Sequence, residues 1–342
     1  MEIVSCRPTI TRKDLEGVLD CLINDELVTG GGAKLFEASL CELTGFRHCV
    51  ALSSPTAAYH AAFRALEMAQ GKEVIVPSYF TTAPLGALAI TGGTAVIVDN
   101  GEGSLFPDTA QIKEKITPNT AAIIIGHTTG VQIPLDEIVA LGVPVIEDIS
   151  HYIGVEVGEK KENPPAFQIA AFTPFDLITT GNGAALFTNN SRHFSLVKEM
   201  RYSDTAVHCD YQMTDFQAAM GLSQVSRLQD FIRRRREISK MYYDALRHVP
   251  HKALYAFNDS FTYQSFPLIF DASGEKVDKY WKKSGIEIHH PVEQPLHILT
   301  GSKGMDFPNS DRFSKKVYSL PIYPSLTKKE IEKIARHLAK FI

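Results

Sequence analysis

The 342 residues predict an α/β fold: a large unit around a mostly parallel sheet, followed by a smaller α+β unit. Three observations predict it. Short, near-continuous runs of β-branched residues alternate with helical stretches, the mark of strands buried on both faces. A long helical stretch, 215–246, then carries the chain out of that pattern, with one break. The remainder, 247–342, holds short strand-like runs and ends in an amphipathic helix. The boundary falls within the long helix, near 235–247, dividing the chain into 1–240 and 241–342.

Residues 11–24 read as an amphipathic helix. Gly30-Gly31-Gly32 reads as a flexible loop before a second helix that starts at Leu35. It is no Walker loop, because no Gly-Lys-Ser/Thr follows at the required spacing. The buried strands are 74–76, 95–99, 122–125 and 143–148. Gln168–Asn190 is an apolar strand, a tight loop, and a second strand entered through Gly181-Asn182-Gly183. No Gly-x-Gly-x-x-Gly opens a helix after a strand, which leaves a nicotinamide-binding fold unsupported. Beyond the long helix, Ser265–Phe270 and Ile286–His289 read as strands. Ile331, Ile334, Leu338 and Ile342 form the apolar stripe of the closing helix.

Hydrophobic residues make up 44% and charged residues 22%, a globular composition. A formal net charge of −4 gives no electrostatic case for nucleic acid or an anionic membrane. Arg233–Arg236, the one dense basic run, reads as a solvated or ion-paired helix face. Cys6, Cys21, Cys41, Cys49 and Cys209 are scattered and lack Cys-x-x-Cys spacing, which favours a reducing compartment over structural zinc. With acidic Glu2, no signal-peptide pattern and no apolar run near the ~18 residues of a membrane span, the expected location is the cytoplasm.

Eight motifs then occur in order. They are Leu27–Glu37, Ser54–Ala58, Val74–Ser78, His127–Gly130 with Pro134-Leu135-Asp136, Glu147–His151, Tyr211–Gln224, Gly285-Ile286 with Pro295-Leu296-His297, and Ser319–Ile331. Phe172–Gly183 adds the pattern Phe-x-x-x-Asp-x-x-Thr-Thr-Gly-x-Gly. Together they resemble the DegT/DnrJ/StrS sugar aminotransferases across essentially the whole chain. The resemblance implies a fold of the PLP-dependent transferase (aspartate aminotransferase) type, its large domain a three-layer α/β/α sandwich. It implies pyridoxal phosphate (PLP) as cofactor, a nucleotide-linked keto-sugar as substrate, and a homodimer with the active site at its interface.

The same resemblance assigns the site. Asp148 takes the position of the carboxylate that keeps the pyridine nitrogen protonated. Asp176 takes that of the Schiff-base lysine, and cannot form the bond. Relatives with histidine there act as dehydratases. Ser54, Thr56 and Thr173 fall among the cofactor-binding positions, which include the phosphate site. Its other donors are changed: Pro55, which has no N–H, replaces glycine, Ala171 replaces serine, and Asp210 and Gln212 replace an asparagine and an arginine from the partner subunit. Tyr79 falls beside the ring, Thr81 replaces a second aromatic, and Asn182 replaces a glutamate. His127 and His151 line the pocket, and His60 reads as packing. His289, His290 and His297 fall in a loop facing substrate or partner. Adjacent histidines on a strand face opposite ways, so no metal site is expected.

Two functions follow. One is an active aminotransferase or dehydratase, with PLP held non-covalently or completed by a partner subunit. The other, favoured by the number of changed positions, is a pseudoenzyme that keeps a sugar-nucleotide pocket and pairs with itself or an active homologue. A third reading makes Asp148, Asp176 and His151 an acid–base group, or a divalent-cation site, serving a ligand without phosphate.

Overall fold

The structure is a computed structural model and describes residues 2–155, 163–202, 210–302 and 306–341. Cys209 lies outside the described residues. Helix α1 (Arg12–Ile23) opens on a capping box between Thr11 and Asp14. Helix α2 spans Gly31–Thr44. Strand β1 (His48–Leu52) runs into α3 (Pro55–Ala65), which has Ser54 as N-cap and Pro55 in its first turn. Then follow β2 (Glu73–Pro77), α4 (Ala83–Thr91), β3 (Thr94–Val98), α5 (Thr109–Glu114), β4 (Thr120–Gly126), α6 (Asp136–Val139) and β5 (Val145–Asp148). Strands β6 (Phe167–Ala171) and β7 (Ala184–Thr188) flank the Phe172–Gly183 loop. Helices α7 (Ser191–Tyr202), α8 (Asp215–Val225) and α9 (Leu228–Leu246) come next, so the long helical stretch breaks at Ser226-Arg227.

The main sheet has seven strands in the order β1-β7-β6-β5-β4-β2-β3. Strands β3, β2, β4, β5 and β6 are parallel neighbours, while β7 pairs antiparallel with both β6 and β1. Alternate residues of each strand feed opposite faces. Val74 and Val76 pack with Ala58, Phe63 and Leu88 of α3 and α4. Ile75, between them, packs with Ile112 of α5 and Ile138 of α6. Toward the other edge, Ala51, Ala170 and Phe187 pack with Phe36, Ala218 and Leu228 of α2, α8 and α9. This is the three-layer sandwich expected, with both faces of the sheet covered.

The second sheet is antiparallel, in the order β10-β9-β8, from β8 (Lys252–Ala253), β9 (Phe266–Ile269) and β10 (Val317–Leu320). Helices α10 (Gly274–Ser284), α11 (Leu296–Leu299), α12 (Pro308–Lys316) and α13 (Lys328–Lys340) complete the chain. Trp281, Ile331, Ile334 and Leu338 pack in one core with Tyr242 of α9 and Ile3 near the N-terminus.

The structure corrects four sequence expectations. The second helix begins at Gly31, not Leu35, and Gly30–Gly32 is tied down. The Asp215 carboxylate accepts from Gly30 N (2.7 Å), Gly32 N (3.0 Å) and Ala33 N (2.9 Å). It fills the amide nest at the start of α2. Strand β1 was not expected, since its short run His48–Leu52 lacks turn signals of its own ahead of Ser54. Ile286–His289 is no strand: it makes only isolated bridges, Ile286 to Ile3 and His289 to Ser319. Arg235 leaves the expected solvated face, being 4% exposed, and Nη1 donates to the carbonyls of Tyr263, Gln264 and Ile322. Arg233 and Arg234 do pair on the surface, with Asp230 and Glu237. No described helix is long and apolar enough to cross a membrane.

Candidate active site

A cavity of about 470 Å³ opens at the carboxyl ends of β4, β5 and β6, the edge where α/β sheets hold ligands. His127 and Thr128 follow β4, Asp148 ends β5, and Ala171 ends β6. The loop after β6 adds Thr173, Phe175 and Asp176. The 291–294 segment and Leu299 close the other side.

Asp148 is committed on both oxygens. Oδ2 accepts from Tyr59 Oη at 2.6 Å, and Oδ1 from Ser150 N at 2.9 Å. Behind it, Ser150 Oγ accepts from Ala171 N at 2.8 Å, which locks β5 to β6. Asp176 folds back on its own loop, where Oδ2 accepts from Thr173 N at 2.6 Å. Its Oδ1 stands 3.6 Å from His151 Nε2, just beyond hydrogen-bond reach. Burial pushes the Asp176 carboxyl up to about 7, against the Thr173 hydrogen bonds and with added push from the Asp148 charge.

His151 Nδ1 accepts from Thr129 N at 3.3 Å, so its neutral ring carries the proton on Nε2. Burial pushes its pKa down to about 4; the Asp148 charge opposes this, and the Arg235 charge adds to it. Thr129 reaches this position through a left-handed backbone, φ 69°. Gly130 follows at φ 86°, where a Cβ would sit 2.0 Å from Thr262 Oγ1. His127 is fixed from both sides: Ile133 N donates to Nδ1 at 3.0 Å, and Nε2 donates to Glu147 Oε1 at 2.8 Å.

The sequence-predicted residues divide. Asp148, His151, Thr173, Asp176, His127, Pro55, Ala171 and Thr81 line the cavity. Ser54 and Thr56 do not: Ser54 Oγ is spent on Ala57 N, and the Thr56 side chain lies against Gly86. Asp210 is exposed and off the cavity of its own chain, accepting from Gln212 N. Tyr79 corrects its assignment to the cofactor ring. It is fully buried in a separate cluster with Phe313 and Val317, and Val292 N donates to its hydroxyl. Of the adjacent pair, it is Phe80 that lines the cavity, with Phe175 from the loop after β6. The Phe80 ring occupies the space a side chain at Gly126 would need, with a Cβ there only 2.1 Å from Cε2. A glycine ending a buried strand was the signal available for it.

His297 also departs from its expected loop position. It is 1% exposed, with Nδ1 2.6 Å from Ser78 Oγ and Nε2 3.1 Å from Asp311 Oδ1. Despite this Ser–His–Asp order, Ser78 is fully buried and does not line the cavity. The chain of bonds fastens the end of β2 to α11 and α12. His60 meets Tyr211 Oη at 2.7 Å, a packing contact. Among the described residues, no group of three His, Cys, Asp or Glu is placed to hold a metal ion.

The cavity fits one end of pyridoxal phosphate and not the other. Phe80, Phe175 and His151 put rings on the lining, and Asp148 offers the carboxylate. Among the described residues no lysine lines the cavity, Pro55 brings no amide to the start of α3, and Ala171 brings no hydroxyl. Asp148 and Asp176 line the same cavity, and neither brings a positive charge to a phosphate. Among the described residues, the lining offers neither a lysine for covalent anchoring nor a cation for a phosphate.

The fold has close relatives among solved structures. Spr1654 from Streptococcus pneumoniae, described as a sugar aminotransferase and seen in its PLP-form, matches with TM-score 0.91 and 22% identity, over 100% of this chain and 98% of its own. Helicobacter pylori PseC, an aminotransferase in the biosynthesis of pseudoaminic acid, matches at TM-score 0.90 and 21% identity, over 100% and 99%. DesV from S. venezuelae, in complex with a ketimine intermediate, matches at 0.88 and 22%, over 96% and 93%. The family model of the DegT/DnrJ/EryC1/StrS aminotransferases matches residues 8–339, and the chain therefore belongs to that family.

Proposed function

We propose that this protein is a non-transaminating member of its family that holds a sugar nucleotide in the cavity. The observation that carries the reading is the side chain at position 176. An aspartate whose carboxylate is bonded to Thr173 N stands where the family resemblance puts the Schiff-base lysine. A carboxyl group cannot form an imine and, unlike a lysine, brings no positive charge to a cofactor phosphate. The resemblance to sugar aminotransferases supports a sugar-nucleotide ligand of the kind used in surface-polysaccharide or deoxyamino-sugar synthesis.

The reading extends to the assembly. Leu15, Leu19, Leu22 and Ile23 of α1, with Leu27, Val28 and Leu35 just after it, are exposed. So many large apolar side chains in one stretch support pairing with a second copy or with an active homologue. The four described cysteines are free, which supports a cytoplasmic location. Two separate sheets support the division into 1–240 and 241–342.

The test is a titration of purified protein with PLP and, separately, with nucleotide-linked keto-sugars. Calorimetric binding of a sugar nucleotide, with no change in near-ultraviolet or visible absorbance on adding PLP, is the expected result. A new absorbance band with a raised melting temperature in PLP would refute it.

A further inference from the structure

There is a second, smaller cavity. It measures about 10 Å³ and is lined by Ser5, Cys6, Arg235, Gln264, Ser265 and His289, among others. That is room for one small particle. Three buried polar atoms of its lining have no hydrogen-bond partner among the described residues: Arg235 Nε, Ser265 Oγ and His289 Nδ1. Arg235 and Ser265 are each 4% exposed. Such orphaned groups are costly unless something bonds to them.

We propose that this cavity binds a small monovalent anion of the chloride class, held by Arg235 Nε, Ser265 Oγ and His289 Nδ1. Charge selects an anion over a water molecule. The Arg235 guanidinium is buried, and Nη1 bonds to neutral carbonyls only. Among the described residues, no carboxylate forms an ion pair with it. Cys6, the ionisable neighbour, does not supply the counter-charge, because burial pushes its thiol up and keeps it protonated. All three orphaned atoms can donate: Nε always, the hydroxyl by rotation, and the imidazole as its Nδ1–H tautomer.

The site ties together segments far apart in sequence: the N-terminal segment at Ser5-Cys6, α9, residues 264–265 and His289. It also touches the main cavity. Gln264 Nε2 donates to Phe175 O at 2.7 Å, and the Arg235 charge acts on His151. An anion beside Arg235 would offset that charge.

Two experiments on the full chain test the proposal. Crystals soaked in bromide should show an anomalous peak between the three atoms; density there without anomalous signal means an ordered water only and overturns the proposal. In solution, melting is compared in chloride and gluconate at equal ionic strength. Chloride should raise Tm saturably, by roughly 2–3 °C at tenfold excess over half-saturation. Arg235 also holds three carbonyls, so its removal risks misfolding, and Ser265→Ala is the informative variant. It should raise the half-saturating chloride concentration by roughly tenfold. Equal Tm in both salts, or an unchanged half-saturation in Ser265→Ala, overturns the proposal.

Discussion

Asp176 Oδ1 and His151 Nε2 face each other across 3.6 Å, and each side chain is held on its far side by a backbone amide, Thr173 N for the acid and Thr129 N for the base. Burial drives both toward their neutral forms, the carboxyl up to about 7 and the imidazole down to about 4. Between about pH 4 and 7 the pair is therefore an acid and a base that the fold keeps largely uncharged side by side. That arrangement has measurable consequences.

The first is a pair of opposed pH slopes in stability. The folded chain keeps a proton on Asp176 that the unfolded chain releases near the ordinary carboxylate value of about 3.9. Stability from this group therefore falls as pH rises from about 4 to about 7. For His151 the unfolded state, with a pKa near 6.5, binds the extra proton, so stability rises from about pH 4 to about 6.5. Asp176→Asn removes the falling limb, and should gain on the wild type by on the order of 3 kcal/mol across pH 4 to 7. His151→Gln should show the opposite trend. Chemical denaturation of both variants over this range checks the signs.

Restoring the lysine alone should fail. Asp176→Lys supplies the amine, but Pro55 and Ala171 still line the cavity and Asp148 remains bonded to Tyr59. We expect no Schiff-base absorbance and no transamination in that variant. Measurable turnover of a sugar-nucleotide substrate would show that the phosphate site is intact.

The nest at the start of α2 should be among the most sensitive positions outside the cavity. Asp215 satisfies three amides with a buried carboxylate. Asp215→Ala is expected to cost roughly 2–4 kcal/mol, and Asp215→Asn less, because one acceptor oxygen remains. Urea midpoints with unchanged m-values would measure both.

The Ser78–His297–Asp311 chain should behave as a fastening. A serine-directed fluorophosphonate is expected to leave the folded protein unlabelled, because Ser78 is fully buried. His297→Ala should destabilise by roughly 2–3 kcal/mol, through lost bonds to Ser78 and Asp311 and lost stacking on Phe307. Labelling at Ser78 would reveal access that the structure denies.

The parallel sheet, its strand ends, the break between α8 and α9 and the family motifs were legible because each is written locally. β-branched runs, turn residues and ordered motifs keep their meaning without neighbours. Asp148, His151 and Asp176 could be placed for the same reason, since they sit at motif positions on strand ends. What the chain order could not convey was direction and partnership. Tyr79 and Phe80 are adjacent and both aromatic. Which ring enters the cavity was decided by the space over Gly126. Arg235 reads like its three arginine neighbours, and only the packing of α9 against 263–264 and Ile322 buries it. Glycines 30–32 look loose until Asp215, far away in sequence, meets them. The sequence by itself determined the fold class and the identity of the side chain at 176. The tertiary structure decided which groups are desolvated, and so which stay neutral. Burial depends on what every other segment brings to the same place.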